Sequence, residues 1–298
     1  MGERLMIDTD PATGYRFRDV DDGLALLYLL ARPDVEVVGV STVFGNVSSS
    51  KATAKAYEVL EVAGRPDVPV YAGASGARDR GNTHASNALR KAAMDEPGTL
   101  TVLAIGPLAN VFAAGLDPGF YPSLKKLVVM GGVLVSKGRR HGREFNFFRD
   151  SKAARAVVGA PCSKAVITQD LCKQVVFTSR ELERLSSIDS SQARYLARHI
   201  KPWLRFNKAV GPFVSWKGGF VPWDVVAAVY LFRPDLFKDV YDGPVDMPET
   251  RIPTGEIELG GAGPAVEVPL KLADGQGLLD EFLDIVARYS DTGSGFES

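Results

Sequence analysis

Strand-like and helix-like segments alternate along most of this chain, and that alternation restricts the fold more than any other feature. RLMID, VEVVGVSTVFG, VPVYAG, LTVLAIG, LKKLVVMGG and KAVITQ read as strands. DDGLALLYLLARP, SSKATAKAYEVLEVAGR, ASNALRKAAMDEPG, PLANVFAAGL and SKAARAVVGA read as the helices between them. VEVVGVSTVFG is rich enough in β-branched residues to be buried on both faces. Repeated βα units predict an α/β class with an open, mostly parallel sheet flanked by helices. The punctuation agrees. Pro33 follows the first helix, serines suited to capping open the second, and Pro107 starts a later one. Past residue 175 the pattern turns helical, through SRELERLSS, SSQARYLARHIKPWLRF and WDVVAAVYLF. Short strands and a closing helix, QGLLDEFLDIVARY, follow. No linker or internal repeat interrupts the run, so residues 1–290 read as one domain. Residues 291–298, DTGSGFES, read as a frayed tail.

In such a sheet, ligands sit beyond the carboxyl ends of the strands. That places the stretch MIDTDPATGYRFRDVDDGLALLYLL at the rim, with Asp8, Asp10, Asp19, Asp21 and Asp22 around one turn. The other strand ends carry Asn46, Ile105, Gly106, Met130 and Asp170. A carboxylate at a helix N-terminus gains about 0.3–1 kcal/mol from the dipole, which is small beside repulsion among several anions. Capping by Asp21 and Asp22, with Asp19 in a loop, accounts for one or two aspartates. It does not account for Asp8 and Asp10 at the end of a buried strand. A hard divalent cation, Ca²⁺ or Mg²⁺, resolves the repulsion.

The cluster is local. Net charge is −1, so nothing in bulk favours nucleic acid or an anionic membrane. No run of apolar residues is long enough for a membrane-spanning helix. MGERLMID lacks a signal-peptide core, and Met6 stands where a myristoylation signal needs Ser or Thr. A cytoplasmic setting is expected. Cys162 and Cys172 cannot make a zinc site alone and read as buried small hydrophobes.

The opening stretch, IDTDP followed by DVDDGLALLYLL and then STVFGNV, resembles the signature of the inosine-uridine nucleoside hydrolase family. LTVLAIGPLANV, LVVMGG, EFNFFRDSKAA and PWDVVAAVYL resemble further family segments, in the family's order. The resemblance implies a Rossmann-like nucleoside hydrolase fold with extra helices near the pocket. It implies one Ca²⁺, with Asp10, Asp22, the carbonyl of Ile105 and Asp224 as ligands. Ribose contacts fall on Asp21, Asn46, Met130, Glu144 and Asn146, with Asp8 supporting the loop from behind. The implied reaction is hydrolysis of a ribonucleoside N-glycosidic bond to free base and ribose. Asp10 is the expected general base, acting on a water held by the ion. The partners implied are a small-molecule nucleoside and further copies of the chain, in a homodimer or homotetramer.

Four departures bear on the leaving base. PATGYRFRDV separates Asp10 from Asp21 where the family's loop is short. It either shapes the substrate site or packs outside it; packing outside is expected, because loops tolerate insertion. Trp223 stands where inosine- and pyrimidine-cleaving members usually have His, and resembles a purine-preferring branch. Packing under the helix start is an equal reading of that Trp. The flap after VYAG is short and offers only His84. The loop VLVSKGRRHGREFN has Gly138 where many members carry Asn, followed by Arg139, Arg140 and His141. Phe213 and Trp216 are further candidates for base contact. These departures leave two alternatives open: hydrolysis of another riboside (a nucleotide, modified nucleoside or sugar conjugate), or a non-catalytic ribose- or metal-binding relative.

Overall fold

RLMID forms an inner strand of the sheet, β1 (Glu3–Thr9), whose last five residues are all buried. A computed structural model describes residues 2–79, 81–135, 143–214, 218–248 and 254–288, the side chains of 211–214 excepted. The tail at 291–298, the loop residues Gly138, Arg139, Arg140 and His141, the side chain of Phe213, and Trp216 lie outside the described residues.

After β1 come α1 (Asp21–Leu30), β2 (Val35–Thr42), α2 (Ser49–Val62), β3 (Val70–Ala72) and α3 (His84–Asp95). Then follow β4 (Leu100–Ala104), α4 (Ala109–Ala114), β5 (Leu124–Met130), β6 (Val133–Leu134), α5 (Phe145–Arg149), α6 (Ser151–Val158) and β7 (Lys164–Ile167). The helical stretch holds α7 (Gln169–Cys172), α8 (Ser179–Ser186), α9 (Ser191–Val214) and α10 (Trp223–Tyr230). The chain closes with β8 (Phe237–Asp246), β9 (Glu256–Leu259), β10 (Ala265–Leu272) and α11 (Gly275–Arg288).

The strands form one sheet in the order β3-β2-β1-β4-β5-β7-β10-β8-β9-β6. From β3 through β10 every neighbouring pair is parallel. Only β8 runs antiparallel to its neighbours, β10 and β9. Strand side chains alternate between the two faces. Leu5, Ile7, Leu103, Ile105, Val128 and Met130 join one core, with α1, α10 and α11. Met6, Val102, Ala104, Leu127 and Val129 join the other, with α4 and α6. The chain leaves β1 toward β2 on one side, while β4 lies on the other. This switch in strand order opens a crevice at the carboxyl ends of β1 and β4.

Some details differ from the sequence reading. Ser48 occupies the N-cap of α2 but makes no side-chain cap bond; its hydroxyl faces Ser50 instead. β8 is ten residues long rather than short. Cys172 is buried as expected, and Cys162 is half-buried. Among the described residues, no helix is long and apolar enough to cross a membrane.

Candidate active site

All ten residues of α1 are buried, including the two aspartates that start it. Two acidic groups are thereby fixed in the crevice, where Asp224, at the start of α10, joins them. The backbone N–H of Asp224 donates to Asp21 Oδ2 at 3.3 Å. Carboxylate oxygens of Asp21, Asp22 and Asp224 lie within 4.8 Å of one another. Asp22 is also gripped by the β1 loop, accepting from Thr9 Oγ1 at 2.5 Å and from the Asp10 N–H at 3.1 Å.

Asp10 is held by close backbone approach. A Cβ at Gly45 would stand 2.0 Å from Asp10 Oδ2, and one at Gly106 would stand 2.8 Å from Oδ1. The room left by Gly45 lets the Asn46 N–H donate to Asp10 Oδ2 at 2.5 Å, while Asn46 Nδ2 reaches Asp22 Oδ2 at 3.3 Å. Asp8 lies behind, accepting at Oδ1 from Ser41 Oγ (2.6 Å) and Asn110 Nδ2 (2.8 Å). Its Oδ2 is buried without a hydrogen-bond partner among the described residues.

Burial is the main reason these carboxyls keep their protons to higher pH than usual. It pushes Asp22 up to about 6 and Asp8 to about 7. Asp10, Asp21 and Asp224 rise well above the ordinary range through burial first and a neighbouring carboxylate's charge second, that of Asp22 on Asp10, Asp19 on Asp21 and Asp21 on Asp224. Such a set, all hard oxygen donors with anions crowding anions, suits a divalent cation such as Ca²⁺ or Mg²⁺. The mutual triad contains Asp21 beside Asp22 and Asp224; Asp10 adjoins it, and among its charged neighbours Asp22 raises its carboxyl most.

A cavity of about 270 Å³ opens beside the triad. Asp21, Asn46, Ile105, Met130, Glu144, Asn146, Trp223 and Asp224, all expected in the site, border it. Glu144 caps α5, accepting from the N–H groups of Gly132, Asn146 and Phe147 at 2.8–3.0 Å. Asn146 Nδ2 donates to the carbonyls of Ile105 (3.0 Å) and Met130 (3.2 Å). Asp10, Asp22 and Asp8 sit one layer back, each essentially unexposed. Asp170 is turned elsewhere and accepts from the Leu134 N–H at 2.7 Å. His84 follows the Thr83 cap of α3 and borders a groove with Tyr71. Among the described residues, no histidine borders the active-site cavity.

The insertion is the main correction. It does not pack outside: Phe17, Arg18 and Asp19 border the cavity, with Arg143, Gln169 and Trp203. Asp19 is no spectator. Its carboxyl is hydrogen-bonded to that of Asp21 and takes the indole N–H of Trp223. Sequence reasoning placed Asp19 in the acidic cluster as a loop residue but gave it no role in the site, because only the folded loop turns it back toward α1. Trp203 carried a signal, its place in an aromatic-rich stretch, but nothing in the sequence set it apart from its neighbours.

The family model described as inosine-uridine preferring nucleoside hydrolase matches residues 5–279. Uridine nucleosidase 1 of Arabidopsis thaliana is 29% identical over 265 residues, covering 79% of this chain and 75% of its own. Among solved structures, a plant nucleoside hydrolase superposes with a TM-score of 0.84 at 23% identity, over 97% of this chain and 100% of its own. A purine-preferring ribonucleoside hydrolase from Gardnerella vaginalis gives 0.81 at 20% identity, over 95% and 98%. The fold therefore has counterparts among solved structures, and the family match runs from β1 into α11. This chain belongs to the inosine-uridine preferring nucleoside hydrolase family, and it is a nucleoside hydrolase.

Proposed function

We propose that the chain hydrolyses the N-glycosidic bond of ribonucleosides with the help of one Ca²⁺, and prefers purine nucleosides. The observation that carries this reading is the triad of Asp21, Asp22 and Asp224, its carboxylates within 4.8 Å of one another beside a cavity with polar and aromatic walls. Asp22 and Asp224, with Asp10 and the Ile105 carbonyl, would hold the ion. When bound, Ca²⁺ supplies positive charge that neutralises the cluster and polarises oxygen ligands.

The chain's own residues do the rest. Asp10 Oδ2 is engaged by Asn46, so Oδ1 takes the proton of the attacking water. Asp21, Glu144, and the Oδ1 atoms of Asn46 and Asn146 accept from ribose hydroxyls and orient the sugar. Met130 packs beneath it. The surrounding anions favour the positive, oxocarbenium-like sugar that forms as the bond breaks. Trp223 and Trp203 face the base side, where a two-ring purine offers more stacking area than a pyrimidine. The name of the Arabidopsis relative favours a second reading, in which uridine is the better substrate. Assembly as a homodimer or homotetramer in the cytoplasm belongs to the same proposal.

Reducing-sugar release from inosine, adenosine, guanosine, uridine, cytidine and one ribonucleotide, with and without chelator, tests it. Chelator-sensitive ribose release led by a purine nucleoside is the expected result. Release unaffected by chelator would remove the ion. Faster cleavage of uridine would replace the purine preference. Release of ribose phosphate alone would make the substrate a nucleotide.

A further inference from the structure

The insertion at residues 11–20 is a built loop. Ala12 and Thr13 are buried at its root, and Thr13 Oγ1 donates to the Val20 carbonyl at 3.1 Å, tying its two ends together. Two turns carry it out and back: Tyr15 N–H to Ala12 O at 2.9 Å, and Arg18 N–H to Tyr15 O at 3.2 Å. The ammonium groups of Lys51 and Lys55 stand over the Tyr15 ring at 5.6 and 5.4 Å. Gly14, at φ 87°, lies so near α9 that a Cβ would stand 2.7 Å from the His199 ring. The loop is thus fastened to α2 and α9.

Its tip is Phe17, at φ 60°, a left-handed conformation that a residue bearing a Cβ adopts only under strain. Strain of this kind gathers at functional sites. Phe17 is 56% exposed, unusual for an aromatic ring, yet its ring is held by Phe206 at 5.0 Å and by the Arg16 guanidinium at 4.6 Å. Phe17, Arg18 and Trp203 border both the active-site cavity and a second one of about 340 Å³ between the loop and α9. The loop tip is the partition between them. At the loop's far end Asp19 takes the Trp223 indole N–H. One loop therefore sets two aromatic surfaces, Phe17 and Trp223, beside the ribose floor.

We infer that this loop is the leaving-base wall, with Phe17 stacking on the base and Arg18 presenting N–H donors to the base's acceptor edge. The ligand class is a planar base with a carbonyl acceptor. A 6-oxopurine suits it better than a 6-aminopurine, because a guanidinium only donates and would face the amino group donor to donor. The inference rests on the nucleoside hydrolysis proposed above.

The test compares wild type, Phe17→Ala, Phe17→Tyr and Arg18→Gln on inosine, adenosine and uridine, with inhibition by free hypoxanthine and free ribose. Phe17→Ala raises KM for inosine and the inhibition constant of hypoxanthine by about tenfold, the size of one lost base stack. It leaves inhibition by ribose unchanged, and Phe17→Tyr restores wild-type behaviour. Arg18→Gln lowers the inosine-to-adenosine ratio of kcat/KM by about tenfold. A Phe17→Ala enzyme within about twofold of wild type on inosine overturns the inference alone. Equal weakening of ribose and hypoxanthine also overturns it, because that marks a general distortion. Wild-type protein inactive on every nucleoside overturns the underlying reading as well.

Discussion

Stripping divalent cations from this protein will make its stability fall as pH rises. Asp22 supplies the magnitude. Its carboxyl rises from 3.8 to about 6 on folding, chiefly through burial. At about 1.4 kcal/mol per unit that shift is worth about 3 kcal/mol. A raised folded-state value means that the folded protein keeps its proton longer than the unfolded chain does. The contribution is therefore complete below 3.8 and is lost as pH climbs through about 6. Asp10, Asp21 and Asp224 move in the same direction, and Asp8 reaches about 7, which carries the loss toward neutral pH. A divalent cation prefers the ionised carboxylates, so it returns this stability and returns more of it at high pH. The assay is thermal unfolding between about pH 5 and about pH 8, in chelator and in Ca²⁺. For a chain of 298 residues about 3 kcal/mol corresponds to about 5 °C in Tm. Between pH 5 and pH 8 Asp22 loses about the last unit of its shift and Asp8 about two, about 4 kcal/mol together, so in chelator Tm falls by about 6 °C across the window, and Ca²⁺ abolishes the fall. A flat Tm in chelator, or a Ca²⁺ increment equal at both ends, would refute the reasoning.

Asp10→Asn lowers kcat by about 10²–10⁴-fold with Tm retained, and ordinary turnover in the variant would remove Asp10 as the base. Gly45→Ala drives a Cβ to within 2.0 Å of Asp10 Oδ2 and should cost about as much activity; unchanged kcat would mean that Asp10 is free to move aside. Asp224→Asn weakens Ca²⁺ binding by at least about tenfold in titration calorimetry, and unaltered affinity would place the ion elsewhere. Trp223→Ala raises KM for inosine more than for uridine in steady-state assays; equal effects would make Trp223 a packing residue.

The apolar strands and their intervening helices were legible because each segment carries its own period and punctuation. The mostly parallel sheet follows from that alternation, since parallel neighbours need a crossover between them. The floor of the site was legible for the same reason. Asp10, Asn46 and Ile105 follow strand ends, Met130 closes one, and Asp21 and Asp22 start a helix, so local structure alone aims them at the rim, whereas Asp224 was reached only through the family resemblance. Asp8 also ended where expected, one layer behind, between Ser41 and Asn110.

What the sequence by itself determined is therefore the set of groups delivered to the crevice, because strand ends and helix starts are local matters. What only the tertiary structure decided is how those groups pair, and which loops and rings stand over them. The insertion at residues 11–20 has no period to read. Its direction depends on contacts distant in sequence: Gly14 against His199, Phe17 against Phe206, and Asp19 against Trp223. The grouping of Asp21 with Asp22 and Asp224 likewise needs α1 and α10 brought side by side, although some two hundred residues separate them in the chain. Contacts of that length are set by the packing of the whole core, which no short stretch of sequence encodes.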